Sequence, residues 1–255
     1  MISPPAVRRV LALGALLLAG AGCGDKTGPS DRVNGVDTPV TIVDGEVQVS
    51  CGPRPGWLPS QMTDGISSEL SDEELHAALG QGIEAFGPET QHSVPDWPDT
   101  PWRLLAEEDD VLTFGLGEWT ENGPVGRAQS FSVQRDGAGW AFAGSGDCQL
   151  RPLLAEGASW AEVTAPAPPD PAASVLRVGV NELACTGSRD PSPHLREPVL
   201  VETQETVVVY WTSTPPEGAQ ACPGNPTVSR EITLSEPLGE RQVLDGSRWP
   251  PTPIG

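Results

Sequence analysis

The stretch ETVVVYWTS, residues 205–213, is an apolar run with the length of a single β-strand. β-branched and aromatic residues such as these are enriched in strands. The run is too short to cross a bilayer, which requires about 20 apolar residues in a helix. It therefore predicts a strand in the C-terminal part of the chain, and the neighbouring sequence extends this interpretation.

Stretches of similar character lie on both sides of this run, with turn residues between them. In residues 226–236 the side chains alternate, so that Val228, Arg230 and Ile232 fall on one face together with Leu234. We expect half-solvated antiparallel strands and a small all-β, sandwich-like domain over residues 174–255. The strand-like stretches are 174–182, 197–204, 226–236 and 240–246.

An earlier region, residues 39–163, predicts an α+β domain in which one helix packs on an antiparallel sheet. Residues 71–86 have a helical apolar period, and Ser71 with Glu74 three positions later forms a capping box. The predicted strands lie at 38–51, 102–107, 111–119 and 127–148, the last with a turn at Asp136-Gly137. The predicted fold class is thus α+β followed by a small all-β, sandwich-like domain.

A proline-rich stretch, TAPAPPDPAAS (residues 164–174), separates these two regions. Proline fixes φ and has no N–H to donate, so the stretch disfavours both helix and central strand. We expect residues 164–173 to be an extended linker between two domains.

The chain contains five cysteines, so at least one of them is unpaired within the chain. Cys51 and Cys148 end the first and last predicted strands of the first region, and Cys185 and Cys222 lie within the second region. Four cysteines allow three pairings. We expect Cys51–Cys148 and Cys185–Cys222, formed in an oxidising compartment.

The N-terminus has the pattern of an export signal. Arg8 and Arg9 precede ten apolar residues, 10–19, and three small residues lead to Cys23. This arrangement resembles the lipobox of bacterial lipoproteins, in which the cysteine carries a thioether-linked diacylglycerol. It implies a signal peptide over residues 1–22, a lipid anchor on Cys23, and a polar tether over residues 23–38. The alternative is an ordinary secretory signal that leaves a free thiol.

This interpretation places the protein at the extracytoplasmic face of the cell membrane, with the membrane as its first partner through Cys23. The chain has 35 acidic and 15 basic residues and a net charge of −20, which disfavours binding to nucleic acid. Abundant Ala, Gly and Pro with a single lysine, Lys26, suggests a GC-rich genome such as those of actinobacteria.

A second resemblance concerns residues 174–248. Cys185 and Cys222 bracket the stretch VETQETVVVYW, and a Pro-Leu-Gly-acid-Arg stretch then leads to a strand that ends in Asp-Gly. The pattern resembles a C-terminal module of a family of actinobacterial lipoproteins, and it implies no particular activity. The residues that carry it are Pro237, Leu238, Gly239, Glu240, Arg241, Asp245 and Gly246.

The sequence predicts no catalytic residue, no metal site and no cofactor. His76, His92 and His194 are widely separated and lack the spacing of metal ligands. No CxxC motif is present, and no G-x-S-x-G nucleophile motif occurs.

Tryptophan is unusually frequent, with eight residues against one tyrosine. In the loop VPDWPDTPW, residues 94–102, Trp97 lies between two acidic residues, Asp96 and Asp99, on a proline-stiffened backbone. Exposed indoles on such loops stack on sugars or anchor a protein partner. We therefore take Trp97, Asp96 and Asp99 as candidate binding residues, while the alternative is a loop that covers a thin core.

The functional prediction is a binding or scaffolding module at the cell envelope, and not an enzyme. The alternative is a lipoprotein that binds a small ligand or a glycan. A cluster of Trp57, Trp97 and Trp102 around one acidic groove would favour the alternative. A hydrolase would need a nucleophile and a histidine in one pocket, which the sequence does not indicate.

Overall fold

Nineteen short strands, one α-helix and one 3-10 helix form the described part of the protein. The structure is a computed structural model and describes residues 32–33, 36–52, 55–86 and 98–254. The helices are η1 (Pro59–Gln61) and α1 (Asp72–Phe86). The strands of the first half are β1 (Arg32–Val33), β2 (Val36–Asp37), β3 (Ile42–Val43), β4 (Glu46–Val47), β5 (Val49–Ser50), β6 (Trp102–Glu108), β7 (Val111–Leu116), β8 (Trp119–Thr120), β9 (Gly123–Pro124), β10 (Gln129–Asp136) and β11 (Gly139–Gly146). Those of the second half are β12 (Arg151–Pro152), β13 (Ser159–Thr164), β14 (Val175–Glu182), β15 (Val199–Glu202), β16 (Thr206–Ser213), β17 (Val228–Thr233), β18 (Gln242–Asp245) and β19 (Thr252–Pro253).

The predicted fold class, α+β followed by a small all-β sandwich-like domain, is wrong. The described residues are mostly β, 41% strand and 9% helical, and their one α-helix lies in the middle of the chain among several sheets. The strands form a four-stranded sheet β11-β10-β7-β6, a seven-stranded sheet β17-β14-β13-β16-β18-β19 with β15 on β16, and several two-stranded ribbons. The prediction failed because a local pattern identifies a strand without identifying the sheet it joins.

The apolar run 206–213, which forms β16, is buried on both faces. On one face Val207, Val209 and Trp211 belong to the core of the seven-stranded sheet. On the other face Tyr210 packs with Val40, Trp160 and Val201, which joins this sheet to the N-terminal residues. A strand covered on both faces has a nearly continuous apolar sequence.

Three strands pair with β16, one of them unexpectedly in parallel. β15 pairs antiparallel with its first half and β13 with its second half. β18 runs parallel to it, with Val207 opposite Val243. β13 precedes the proline-rich stretch 164–173 along the chain but belongs to this sheet through β14 and β16.

The helix α1 covers one face of the four-stranded sheet. Its apolar side, which includes Leu75, Leu79 and Ile83, packs on Phe114 and Phe131. The predicted capping box is present. The Ser71 backbone N–H donates to a Glu74 carboxylate oxygen at 2.8 Å, and the Glu74 N–H donates to the Ser71 hydroxyl at 3.3 Å. None of the described helices is long and apolar enough to cross a membrane.

The opposite face of this sheet contacts the N-terminal segment. Trp57 and Trp119 pack edge to face with ring centroids 6.4 Å apart, and Met62 and Leu105 belong to the same cluster. Trp249, close to the C-terminus, joins this cluster and donates its indole N–H to the Glu121 carbonyl at 3.3 Å. The C-terminal residues thus pack against the four-stranded region.

Both predicted disulfides are formed. Cys51 pairs with Cys148, with Cα atoms 4.9 Å apart, and Cys185 pairs with Cys222, with Cα atoms 4.6 Å apart. The first closes a loop of sequence separation 97 and the second one of 37. Crosslinks of this kind stabilise mainly by restricting the unfolded chain.

A cluster of charged side chains joins β12 and β13 to residues 245–248. Arg248 binds Glu162 through Nε at 3.1 Å and through Nη2, and Arg151 donates to the Ser247 carbonyl at 3.0 Å. Burial raises the pKa of Asp245, and the nearby charge of Glu162 acts in the same direction. Burial also lowers the pKa of Arg151, with a further contribution from Arg248.

The Pro-Leu-Gly-Glu-Arg stretch forms a turn organised by Arg241. Its guanidinium donates to the carbonyls of Leu238, Glu236 and Pro237 and to a Glu202 oxygen at 2.7 Å. Ser235 donates to both Glu202 oxygens, through its N–H at 2.9 Å and its hydroxyl at 3.0 Å. These contacts give the conspicuous residues of the turn a structural role.

The Asp-Gly pair that follows is also structural. Asp245 accepts hydrogen bonds from the N–H and hydroxyl of Ser247 at 3.0 and 2.7 Å. A Cβ added at Gly246 would lie 2.6 Å from the ring of Tyr210 and 3.0 Å from the Val209 carbonyl oxygen. Only glycine permits this close approach to β16.

We predict that Glu202→Gln destabilises the protein at neutral pH. Burial acts to raise the pKa of Glu202, but hydrogen bonds from Ser235 and Arg241 outweigh it and lower the pKa below the ordinary value of 4.5. A folded-state pKa below the unfolded value adds stability above about pH 4.5 that is lost as the pH falls through the folded pKa. At pH 7 the variant should lose about 1.5–3 kcal/mol in urea unfolding, the range for hydrogen bonds to charged groups.

The matched control is Glu231→Gln, which breaks the ion pair with Arg177. This pair is solvent-exposed: the Arg177 side chain is 71% exposed and the Glu231 side chain 63%. It should cost less than about 1 kcal/mol. The deficit of Glu202→Gln should shrink at about pH 3, where the wild-type carboxylate is being protonated. Equal effects of the two substitutions at pH 7, or a deficit of Glu202→Gln that is unchanged in acid, would contradict this account.

Candidate functional site

A cleft of about 500 Å³ opens between the strands β15 and β17, and we call it the edge cleft. In the described residues β17 pairs only with β14, and β15 only with β16, so each strand leaves one edge unpaired. Residues of both strands face the same space. The edge cleft is lined by Leu195, Arg196, Leu200, Trp211, Arg230 and Ile232, among others.

Trp211 of β16 lines the cleft at the sheet core. Its side chain is 3% exposed, and its indole N–H has no hydrogen-bond partner among the described residues. The hydroxyl of Ser213, two residues later, is likewise buried and unpartnered. Buried polar groups are nearly always hydrogen-bonded, and leaving one unpaired costs about 1–3 kcal/mol. The unpartnered Trp211 indole and Ser213 hydroxyl beside the cleft are therefore evidence for a functional role of this region.

Arg230 lies on the core-facing side of β17, as the alternation of residues 228–234 predicts. It stands opposite Val178 in the pairing with β14. Its Nη1 donates to the Ser229 carbonyl at 2.9 Å, and among the described residues no carboxylate lies within 4.0 Å of it. The guanidinium thus keeps capacity for a ligand carboxylate, to which arginine binds in a bidentate geometry.

Two other charged residues of the cleft, Arg196 and Glu231, are engaged elsewhere. Arg196 donates to the Gly157 carbonyl through Nη2, and its backbone N–H donates to Thr212 at 2.9 Å. Glu231 pairs with Arg177 at 3.5 Å in an exposed contact. Arg230 is therefore the guanidinium of the cleft that is most available to a ligand.

A buried ion pair holds the wall of the cleft formed by residues 186–198. Glu182, whose side chain is fully buried, accepts from Arg189 Nε at 3.1 Å and from Nη2 at 2.6 Å. Arg189 also donates to the Thr214 carbonyl at 2.6 Å. The hydrogen bonds to Glu182 raise the pKa of Arg189. The wall formed by residues 186–198 is therefore anchored near its N-terminal end.

Asn225 and the second disulfide complete this anchoring. The Asn225 amide donates to the carbonyls of Glu182 and Ala184, each at 2.6 Å, and its oxygen accepts from the Thr186 hydroxyl at 2.5 Å. The disulfide Cys185–Cys222 joins the same two segments. The wall of the cleft is thus fixed before any ligand binds, which lowers the entropic cost of binding.

An acidic group also lies near the mouth of the cleft. The pKa of Asp190 is lowered, first by hydrogen bonds from Ser192 and then by the charges of Arg230 and His194. Ser192 itself lines the cleft. The edge cleft therefore combines the available guanidinium of Arg230 with the carboxylate of Asp190 near one end.

The candidate residues taken from the sequence do not gather at one site. Cys23, Asp96 and Trp97 lie outside the described residues. Asp99 is exposed in the turn that precedes β6. The roles predicted for these four residues remain predictions.

Trp57 and Trp102, whose clustering with Trp97 would favour a glycan site, lie on opposite faces of the four-stranded sheet. Trp102 is half-buried on the α1 side and packs against Phe114 at 5.7 Å between ring centroids. Trp57 is buried on the other side beside Trp119. Trp57 and Trp102 therefore do not line one groove.

The sequence analysis missed the edge cleft itself, although the alternation of residues 226–236 placed Arg230 on the apolar face of its strand. The usable signal was an arginine at a core-facing position in an alternating strand. The sequence could not show that β15 and β17 each have one unpaired edge. Among the described residues no group of three or more His, Cys, Asp or Glu side chains is arranged to hold a metal ion.

Comparisons with known proteins give no identity to this chain. No family model matches it, and no curated protein and no solved structure matches it.

Proposed function

We propose that the protein is an extracytoplasmic binding protein, anchored to the cell membrane by a lipid on Cys23, that takes an extended segment of a partner protein into the edge cleft. One observation carries the proposal: the available guanidinium of Arg230 lies on an open strand edge, beside the unpartnered indole of Trp211. No catalytic residue, cofactor or metal is part of this function.

The chemistry of the edge cleft suits a peptide in the β conformation. An unpaired strand edge presents N–H and C=O groups to an incoming strand, and such strand addition is a recurrent mode of peptide recognition. Leu195, Leu200 and Ile232 supply an apolar surface for one side chain of the peptide. Arg230 would bind a carboxylate of the peptide two residues along from that apolar side chain, because alternate residues of a strand share a face.

A purely structural role for Arg230 is the competing explanation. Charged residues that point inward on edge strands protect a sheet from aggregation. In that case removing the charge would promote self-association without affecting a ligand. The two explanations therefore differ in what Arg230→Leu changes.

We predict that a peptide library displayed against the purified exported domain enriches sequences with an acidic residue two positions from a large apolar residue. Arg230→Leu should weaken an enriched peptide about tenfold or more, since hydrogen bonds to charged groups contribute about 1.5–3 kcal/mol. Fluorescence polarisation of the labelled peptide measures the affinity, and thermal unfolding checks that the variant is folded.

The matched control is Arg177→Leu, which replaces an arginine of the adjacent strand β14 that faces away from the core. Among the described residues its ion-pair partner is the exposed Glu231. It should leave peptide affinity unchanged. If no motif is enriched, or if enriched peptides bind Arg230→Leu as well as the wild type, the edge cleft is not the binding site. Self-association of Arg230→Leu with unchanged peptide affinity would assign it the protective role.

The membrane anchor is proposed from residues 1–23, with the two disulfides as compatible support. We predict that the mature wild-type protein partitions into the detergent phase of Triton X-114. Cys23→Ala should abolish this partition, either as a released protein or as an uncleaved precursor, because the thioether-linked lipid can no longer form.

Cys23→Ser is a second variant that preserves the size of the residue and should behave in the same way. The outcome that contradicts the anchor is a variant of normal mature mass that still enters the detergent phase. Failure of the anchor would leave the peptide site untouched, because the edge cleft lies in residues 192–233.

A further inference from the structure

The edge cleft lies between two edges of one sheet, and the strands at these edges run in the same direction. The strands β17, β14, β13, β16 and β15 follow one another in this sheet, and each pairs antiparallel with the next. In such a series the first and the fifth strand are parallel to each other. A single strand inserted between β15 and β17 can therefore run antiparallel to both.

The backbone groups that β17 offers to the cleft follow from its pairing. The Leu234 N–H donates to the Ser174 carbonyl at 2.8 Å, one step beyond the last pair of β14 with β17. Hydrogen-bonded and non-hydrogen-bonded pairs alternate along an antiparallel ladder. The N–H and C=O groups of Glu231 and Thr233 therefore point toward the edge that is unpaired in the described residues.

The strand β15 offers backbone groups to the same space. The Thr203 N–H donates to the Thr206 carbonyl at 2.8 Å, one step beyond the last pair of β15 with β16. By the same alternation, the N–H and C=O groups of Leu200 and Glu202 point away from β16. The Ser235 N–H donates to a Glu202 oxygen at 2.9 Å, so the C-terminal ends of β15 and β17 lie close together at one end of the cleft.

The side chains that face the inside of the cleft differ along its length. Ile232 is buried in the core of the sheet, and Leu200 packs against the same core. Arg230 lies on the same face as Ile232, two residues nearer to the N-terminus of β17. An inserted strand would stand opposite both residues in non-hydrogen-bonded pairs, in which facing side chains approach most closely. An apolar and a cationic position therefore face two alternate residues of the segment.

We propose that the partner segment inserts as a strand that pairs with β15 and β17 at once, antiparallel to both, and that its acidic residue lies two positions C-terminal to its large apolar residue. This inference rests on the proposed function and adds the direction and residue order of the ligand. A strand antiparallel to β17 passes Ile232 before it reaches Arg230, whereas a parallel strand would reverse the order. Antiparallel pairing is slightly more stable per residue and occurs roughly two to three times as often.

The test compares two peptide libraries displayed against the purified protein, one of the form X-Leu-X-Asp-X and the other of the form X-Asp-X-Leu-X, where X is any residue. Only the first should be enriched. The best peptide and its order-reversed form have the same composition and charge, and fluorescence polarisation compares their affinities. The reversed form should bind at least about tenfold more weakly, because it cannot meet Ile232 and Arg230 at the same time.

Two variants show whether Arg230 sets the order. Arg230→Leu should bind the two forms equally, since the guanidinium that distinguishes them is gone. Arg177→Leu on β14 is the matched control and should keep the preference of the wild type. Should Arg230→Leu fail to fold, the comparison of the two forms on the wild-type protein decides the order.

Pairing with both edges is tested by N-methylation of two adjacent nitrogens in the best peptide. Successive N–H groups of a strand point to opposite edges, so one of them should face β15 and the next β17. Each methylation should therefore weaken binding, by roughly two- to tenfold. A loss from only one of the two would overturn the insertion between both strands.

The remaining outcomes separate this inference from the proposed function. Enrichment of X-Asp-X-Leu-X with binding that depends on Arg230 would overturn the direction and leave the proposed function intact. Equal binding of the two forms by the wild type would overturn the residue order. If neither library is enriched, the inference and the proposed function both fail.

Discussion

The burial of β16 on both faces is the constraint on which the rest of the structure depends. One face, with Val207 and Val209, closes the core of the seven-stranded sheet, and the other, with Tyr210, packs on Val40 and Trp160. Burial raises the pKa of Tyr210, which reflects how completely this second face is removed from water. Since a buried strand needs all its backbone groups paired, three strands must pair with β16 along its length. The strands that remain at the edges then have no further partner within the described protein.

The proposed binding site is a consequence of where strand pairing stops. The edge cleft forms because β15 and β17 do not pair with each other among the described residues, and Trp211 of β16 lies beside it. It includes a buried indole N–H without a partner among the described residues, and the disulfide Cys185–Cys222 holds a neighbouring segment. Preformed walls of this kind reduce the entropic cost of binding.

Local features were predictable from the sequence, and long-range ones were not. The capping box of Ser71 and Glu74 and the two disulfides are confirmed. Arg230 lies on the core-facing side of its strand, as the alternation predicts. The fold class was wrong, because side-chain alternation records which face a residue occupies and does not record which strand lies beside it. The parallel pairing of β16 with β18 and the membership of β13 in the larger sheet therefore could not be foreseen. The edge cleft was missed for the same reason, since a cleft between two edges exists only once the strand order is known.

The central claim is that β16 and the N-terminal segment packed on it couple the two larger sheets into one cooperative unit. Val40 packs with Tyr210, and Val49 of the same segment packs with Leu105 of the four-stranded sheet. Native-state hydrogen exchange tests this claim most directly. Amides of residues 207–212 should exchange only through global unfolding. With increasing denaturant, the slow amides of β7 and β10 in the four-stranded sheet should merge with them into the same unfolding isotherm. The contradictory result is a four-stranded sheet whose amides merge at a clearly lower free energy while β16 stays protected. That result would mean that the two sheets unfold independently and that the N-terminal segment packed on Tyr210 does not join them.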